Sequence, residues 1–279
     1  MFKDRCWWIT GASSGIGTAL AVALSNEGAS VILSGRNEAA LNDVASRCTA
    51  GALVLPFEAT DYARIPALAQ QAWDWASKNG GAIHGLINNA GITQRSLAVE
   101  TVFDVYQRII AVDLLAPIAL TQALLPRMVK AGGGQIIAIS SVAGLVGAPL
   151  RSAYSAAKHG LIGYHDSVRA ETSQSGIKVL VVAPGSVRTN VSKNALDAAA
   201  QTRGVSDAAI ENGMAPELAA SRILDAVKSG TRELILAEGM EADIVRLRRS
   251  NPDALFDAMA DMVAGGYAQR MEAERKPGS

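Results

Sequence analysis

The stretch Cys6–Gly17, "CWWITGASSGIG", decides how the rest of the chain is read. A short apolar, β-favouring run leads straight into a turn with glycines at 11, 15 and 17, and the turn opens onto "GTALAVALSN", a helix-like run. A strand that ends in closely spaced glycines and feeds a helix brings backbone N–H groups and the positive end of a helix dipole to one point. That arrangement suits a pyrophosphate and predicts a dinucleotide site made by Gly11, Ser13, Ser14, Gly15, Ile16 and Gly17.

Outward from this turn, strand-like and helix-like runs alternate. "SVILS", "ALVLPF", "GLIN", "GQIIAIS", "IKVLVVA" and "ELIL" are mostly apolar and branched, as strands covered on both faces are. Helix-like segments lie at 15–26, 38–48, 62–78, 102–130, 152–174 and 216–228. The alternation predicts an α/β fold with right-handed crossovers and one mainly parallel sheet with helices on both faces. No repeat or long linker divides the chain, so residues 1–279 are expected to form one catalytic domain. Two regions break the rhythm. Residues 190–213, rich in Ala, Asn and Gly, read either as a mobile segment over a substrate site or as a loosely packed surface helix pair. A C-terminal helical extension, 239–279, sets Leu255, Met259, Met262 and Val263 opposite Asp253, Asp257 and Asp261, a pattern for packing on the body or on a sister subunit.

Composition excludes several classes. The chain has 279 residues, 49% hydrophobic, with 26 acidic and 26 basic side chains. Zero formal net charge and no basic block argue against nucleic acid or an anionic membrane and favour a small diffusible substrate. Cys6, Cys48, His84, His159 and His165 show neither a disulfide framework nor metal-ligand spacing, so no metal is expected. The N-terminus fits neither a signal peptide nor a membrane span, which makes cytoplasm the expected location.

The choice of nucleotide is read about 20 residues after the glycines. There "SGRN" puts Gly35 where an acid would hold a ribose 2′-hydroxyl, and Arg36, beside Asn37, offers a guanidinium fork suited to a phosphate. NADP(H) is expected over NAD(H).

At the reacting end, "YSAAK" places Tyr154 and Lys158 on one helix face, and Ser141 follows the fifth strand, where the crevice of an open α/β sheet lies. A phenol with an ordinary pKa near ~10 exchanges protons readily at neutral pH only after a shift of a few units, each ~1.4 kcal/mol. An ammonium ~5 Å away at an effective dielectric of ~20 supplies roughly 3 kcal/mol. The trio can therefore pass a proton to a carbonyl oxygen, or take one from an alcohol. His159 and His165 flank the same helix and are expected to serve solvent exposure or core packing.

Together, "TGASSGIG" (10–17), "NNAG" (88–91), Ser141, "YSAAK" (154–158) and "PGSVRT" (184–189) resemble the short-chain dehydrogenases/reductases over roughly residues 2–236. The "WWITGASSGIG" start and the long tail are similar to the branch typified by dehydrogenase/reductase member seven. The resemblance implies a single-domain, doubly wound Rossmann-type sheet of seven mainly parallel strands, hydride transfer with a nicotinamide, and a homodimer or homotetramer. It implies that Ser141 orients the substrate oxygen, that Tyr154 is the acid/base, and that Lys158 supports the tyrosine and holds the ribose. Asn89, Ala90 and Gly91 would border the ribose, Thr189 would contact the carboxamide, and Pro184, Gly185 and Val187 would also lie at the cofactor. Arg36 without an acid at 35 matches the NADP-preferring pattern. Glu58, beside Ala59, stands where an adenine-contacting Asp is usual.

The larger departure is Asp113, in "IIAVDLLAP", where the family has a catalytic asparagine. A carboxylate cannot donate the hydrogen bonds that an amide donates. Either Asp113 is protonated or charge-paired and keeps the brace, or the proton relay is perturbed. The functional expectation is interconversion of a ketone or aldehyde with an alcohol, in a roomy apolar pocket with Arg95 and Arg151 near its mouth. An NADP-binding sensor or scaffold without turnover, and epimerase or enoyl-type chemistry, are the alternatives. The intact trio weighs against the first and the four-residue Tyr154–Lys158 step against the second.

Overall fold

The computed structural model describes residues 1–273. Within them, β1 (Cys6–Thr10), β2 (Ser30–Ser34), β3 (Ala52–Val54), β4 (Ile83–Asn88), β5 (Gly134–Ile139), β6 (Ile177–Pro184) and β7 (Glu233–Leu236) form one sheet. All pairings are parallel, in the order β3-β2-β1-β4-β5-β6-β7. The helices are α1 (Gly15–Asn26), α2 (Glu38–Ser46), α3 (Ile65–Lys78), α4 (Phe103–Ile110), α5 (Ala116–Lys130), α6 (Ser152–Glu171), α7 (Ala208–Glu211), α8 (Pro216–Ser229), α9 (Gly239–Ser250), α10 (Pro252–Ala264) and α11 (Tyr267–Ala273).

Every residue of β1 and β2 is buried because helices cover both faces of the sheet. Successive side chains point oppositely, so Trp7 packs with Leu20 and Leu24 of α1 and Ile223 of α8, while Trp8 packs with Leu68 of α3 and Leu124 of α5. Strand order turns at β1, whose neighbours are β2 on one side and β4 on the other. A crevice opens there beyond the C-terminal strand ends, and the site occupies it.

Several boundaries differ from the sequence expectation. β3 is only Ala52–Val54, although Leu55 N–H still donates to Leu33 O (2.9 Å) and Phe57 N–H to Gly35 O (3.1 Å), so Pro56 sits between two bonds to β2 at the edge of the sheet. A 3-10 turn, Tyr62–Arg64, precedes α3. The run 102–130 is two helices joined by a π-helical turn, Ala111–Leu115. Pro117 has no N–H for the Asp113 carbonyl four residues back, and Ala116 N–H instead reaches Ala111 O, five back. By length and apolarity Phe103–Lys130 would pass as a membrane span, but Val105 and Ile109 pack on α6, and Leu120 and Leu124 pack on the sheet, as in a core helix.

Residues 190–213 do not form a helix pair. Only α7 is helical; the remainder is coil fastened by isolated bridges, Gln94 to Leu196 and Leu196 to Thr202. The tail packs on the body: Val245, Leu255 and Met259 cluster with Val142 and Val146, and Asp253, Asp257 and Asp261 face solvent. Residues 274–279 of the expected extension lie outside the described residues.

Candidate active site

A cavity of about 1030 Å³ runs from the β1–α1 turn, across the ends of β4, β5 and β6, to α9 and α10. At its first end Gly11 has φ +63°, and a side chain there would meet Ala90 Cα at 2.9 Å. Thr10 and Asn89 clamp this approach. Thr10 Oγ1 accepts N–H bonds from Asn89 (3.0 Å) and Ala90 (3.1 Å), and Asn89 Nδ2 donates to Thr10 O (3.0 Å) and Gly11 O (3.2 Å).

Ser13, Ser14, Gly15 and Ile16 line the cavity where α1 begins. Ser14 makes no side-chain cap bond, and no acid lies in the first turn of α1. Its N–H groups are left for an anion, which fits a dinucleotide pyrophosphate.

Two residues expected at the cofactor do not line the cavity. Gly17 sits behind the turn, where a Cβ would fall 2.2 Å from Gly11 O, so it serves close packing of helix on turn. Asn37 spends its side chain as the cap of α2, accepting Ala40 N–H at 3.0 Å.

At the far rim of this end, Arg36 is 75% exposed and its Nη1 lies 3.8 Å from Glu58 Oε2. Gly35 and Ala59 line the wall beside it, with no acid at position 35. Toward the middle, Pro184, Gly185, Val187 and Thr189 line the wall after β6. Glu241 of α9, a residue the motifs do not mark, pins this loop by accepting from Ser186 N and Ser186 Oγ, both at 2.8 Å.

The reacting trio shares the same wall. Ser141 follows β5 with extended backbone, its Oγ accepting from Ala143 N (3.1 Å) and donating to Pro184 O (3.4 Å). Tyr154 and Lys158 come from α6. The start of α6 is secured by Gln94, whose Oε1 accepts Ala153 N–H at 2.8 Å. Lys158 Nζ lies 5.5 Å from the centre of the Tyr154 ring. Once the Ser141 hydroxyl turns from its long contact with Pro184 O, a hydroxyl, a phenol and a buried ammonium offer a substrate oxygen two hydrogen-bond donors and nearby positive charge.

Asp113 is the fourth group here. It is fully buried in the π-helical turn, and its Oδ2 stands 3.1 Å from Lys158 Nζ. Oδ1 accepts Ile92 N–H at 2.8 Å, bracing the loop after β4. Oδ2 has no partner in hydrogen-bonding direction, so the contact with Lys158 is an ion pair more than a hydrogen bond. Lys158 itself donates to Ile139 O at 3.1 Å. Burial alone would drive Lys158 toward the neutral amine, but the Asp113 carboxylate, with Tyr154, outweighs it and holds the ammonium above the ordinary lysine range. The charge-paired alternative for Asp113 is the one this geometry carries, and the brace on the loop is kept. Gly91 makes room for the pair: a Cβ there would come within 2.8 Å of Asp113 Oδ2.

Neither helix histidine reaches the cavity. His159 is exposed and bonds Ser155 O at 2.8 Å. His165 is fully buried, and burial pulls it down to about 4.

A sequence model of the family described as short chain dehydrogenase matches residues 5–200. Dehydrogenase/reductase SDR family member 7B of Bos taurus is 36% identical over 90% of this chain and 79% of its own length. A 7-like protein of Anopheles gambiae is 37% identical over 89% and 80%. Among solved structures, a short-chain dehydrogenase from Streptomyces avermitilis superposes with a TM-score of 0.77 at 30% identity, covering 94% of this chain and 98% of its own. One from Sphingobium yanoikuyae, in complex with NADPH, gives 0.74 at 25% identity, with 91% and 96% covered. The chain therefore belongs to the short-chain dehydrogenase/reductase family of oxidoreductases, within its member 7 branch.

Proposed function

We propose that the protein interconverts a ketone or aldehyde and an alcohol with NADP(H), Tyr154 acting as acid and base. The observation that carries this reading is that Ser141, Tyr154 and Lys158 line one cavity with the β1–α1 turn, whose uncapped N–H groups fit a pyrophosphate. A bound nicotinamide supplies or accepts the hydride. In the reductive direction the Tyr154 phenol gives its proton to the substrate oxygen, and in the oxidative direction its phenolate removes one. Ser141 Oγ, fixed by Ala143 N–H, hydrogen-bonds the same oxygen. Lys158 keeps positive charge beside the phenol and is itself kept charged by Asp113.

The preference for NADP(H) rests on Arg36, a mostly solvent-facing guanidinium at the rim, with only the partly exposed Glu58 for company and no acid at Gly35. The Sphingobium relative's complex with NADPH is in keeping with it. The substrate end is walled by Val142, Val146, Leu196, Ile244 and Met259, which suits a bulky apolar ketone. Val102 and Phe103 at the start of α4 and Leu115 in the turn after it are exposed apolar side chains that a second copy in a homodimer or homotetramer would cover.

The test is a panel of ketones and aldehydes assayed with NADPH and with NADH. Consumption of NADPH over NADH supports the reading. Tight NADPH binding with no turnover across the panel would favour a binding protein instead.

A further inference from the structure

Asp207, just before α7, gathers more positive charge than one carboxylate neutralises. Its Oδ1 accepts from Arg203 Nη1 at 2.5 Å, and its Oδ2 accepts from Arg95 Nε at 2.7 Å with Arg95 Nη2 at 2.5 Å. These three side chains are no more than 3% exposed. Other donors on the two arginines are also used: Arg203 Nη2 donates to Met271 O at 2.6 Å, and Arg95 Nη1 to Gln94 O at 2.7 Å and Thr93 Oγ1 at 3.2 Å.

Arg151 is the guanidinium left over. Its Nη2 stands 3.8 Å from Asp207 Oδ2, beyond hydrogen-bond reach of an oxygen that Arg95 already holds. Its Nε is buried with no hydrogen-bond partner among the described residues. Among the described residues, three guanidinium charges meet the one carboxylate of Asp207, a formal excess of +2. The excess registers on Arg95: burial, then the charge of Arg151, pull it down to about 10 despite Asp207.

The position of Arg151 is what gives this surplus a use. It lines the cavity with Tyr154, which follows it by three residues at the start of α6, and it is 24% exposed. A partly exposed guanidinium on the wall of a substrate cavity, its charge unmatched among the described residues, suits an oxyanion in size and geometry. Resting on the carbonyl-reduction reading, we propose that Arg151 holds a carboxylate or phosphate borne by the substrate, so that the substrate is an amphipathic ketone with its apolar body along Val146 and Met259. Arg95 and Arg203 are positioning residues that saturate Asp207 and leave Arg151 free to face the cavity.

The experiment compares matched substrates: a keto acid with its methyl ester, and a phosphorylated hydroxyketone with the unphosphorylated alcohol, each with NADPH. The expected result is a higher kcat/KM for the anionic member, and an anionic-to-neutral ratio at least tenfold lower in Arg151→Gln but largely kept in Arg151→Lys. The two pairs show whether carboxylate or phosphate is preferred, and the ratio cancels any general loss of activity in a variant. A ratio unchanged by Arg151→Gln overturns the inference while leaving carbonyl reduction standing. If no ketone is turned over, calorimetric titration of the NADPH-loaded protein with the same keto acid and the same phosphorylated hydroxyketone decides. At least tenfold weaker binding of either in Arg151→Gln supports the subsite; no binding of either, or equal affinity in the two proteins, removes it.

Discussion

Replacing Asp113 with Asn removes a carboxylate 3.1 Å from Lys158 Nζ inside a fully buried site. At an effective dielectric of ~20 that carboxylate attracts the ammonium by about 5 kcal/mol. The amide still accepts Ile92 N–H, so the loop after β4 keeps its brace, but its NH2 group faces an ammonium that needs an acceptor. Losing one partner of a buried pair costs on the order of 3–5 kcal/mol. The sign of the pH effect follows from the direction at Lys158. In the native protein its value is raised, so its contribution to stability is complete below the ordinary lysine range and is lost only as pH climbs through the raised value. Without Asp113, burial dominates and Lys158 is depressed. The variant then becomes more stable as pH rises from neutral to mildly alkaline, while the native protein stays nearly flat. In the pH–rate profile, the alkaline limb of the variant moves toward neutral as Lys158 loses the charge that supports Tyr154. Urea melts at neutral and mildly alkaline pH, with a pH–rate profile for each protein, measure both effects. Superimposable melts and profiles would refute the claim that Asp113 keeps Lys158 charged.

Arg36→Ala should weaken NADPH binding roughly 10- to 100-fold, the worth of a charge-assisted phosphate contact, with little change for NADH; fluorescence titration of both nucleotides reads it, and a parallel loss for both would assign Arg36 elsewhere. Gly17→Ala forces a Cβ to within 2.2 Å of Gly11 O, so the β1–α1 turn must shift, and calorimetry should show lost stability together with weaker binding of both nucleotides. Asp207→Asn removes the carboxylate that Arg95, Arg151 and Arg203 share and should cost about 3–5 kcal/mol in denaturant unfolding; a loss below 1 kcal/mol would show that Asp207 does not balance them.

Local chemistry made most of the fold legible. The β1–α1 turn, the branched strand cores and the alternation of elements lead directly to a parallel sheet, because each depends on residues close in sequence. The break in the 102–130 run was also written there: Pro117 withholds an N–H from Asp113, and a helical pattern read by apolar spacing alone passes over it. The trio was legible because Tyr154 and Lys158 share a helix face and Ser141 ends a neighbouring strand. That Asp113 is charge-paired stood among the readings of the sequence, but its partner Lys158 was not legible, since the contact spans α6 and the π-helical turn. Glu241 and Asp207 could not be found at all. Each acts across a long sequence gap, on Ser186 and Arg95, and nothing local distinguishes them from ordinary surface acids. Gly17 and Asn37 lie near the turn in sequence, but one is turned to packing helix on turn and the other to capping α2.

The central claim is that Tyr154 moves the proton in an NADPH-dependent carbonyl reduction. Its most direct test is the decay of NADPH absorbance with an accepted ketone, for the native protein and for Tyr154→Phe, alongside NADPH titration of both. The account predicts turnover that falls by roughly 10²- to 10⁴-fold in the variant while NADPH binds equally well. Turnover undiminished by Tyr154→Phe would contradict it.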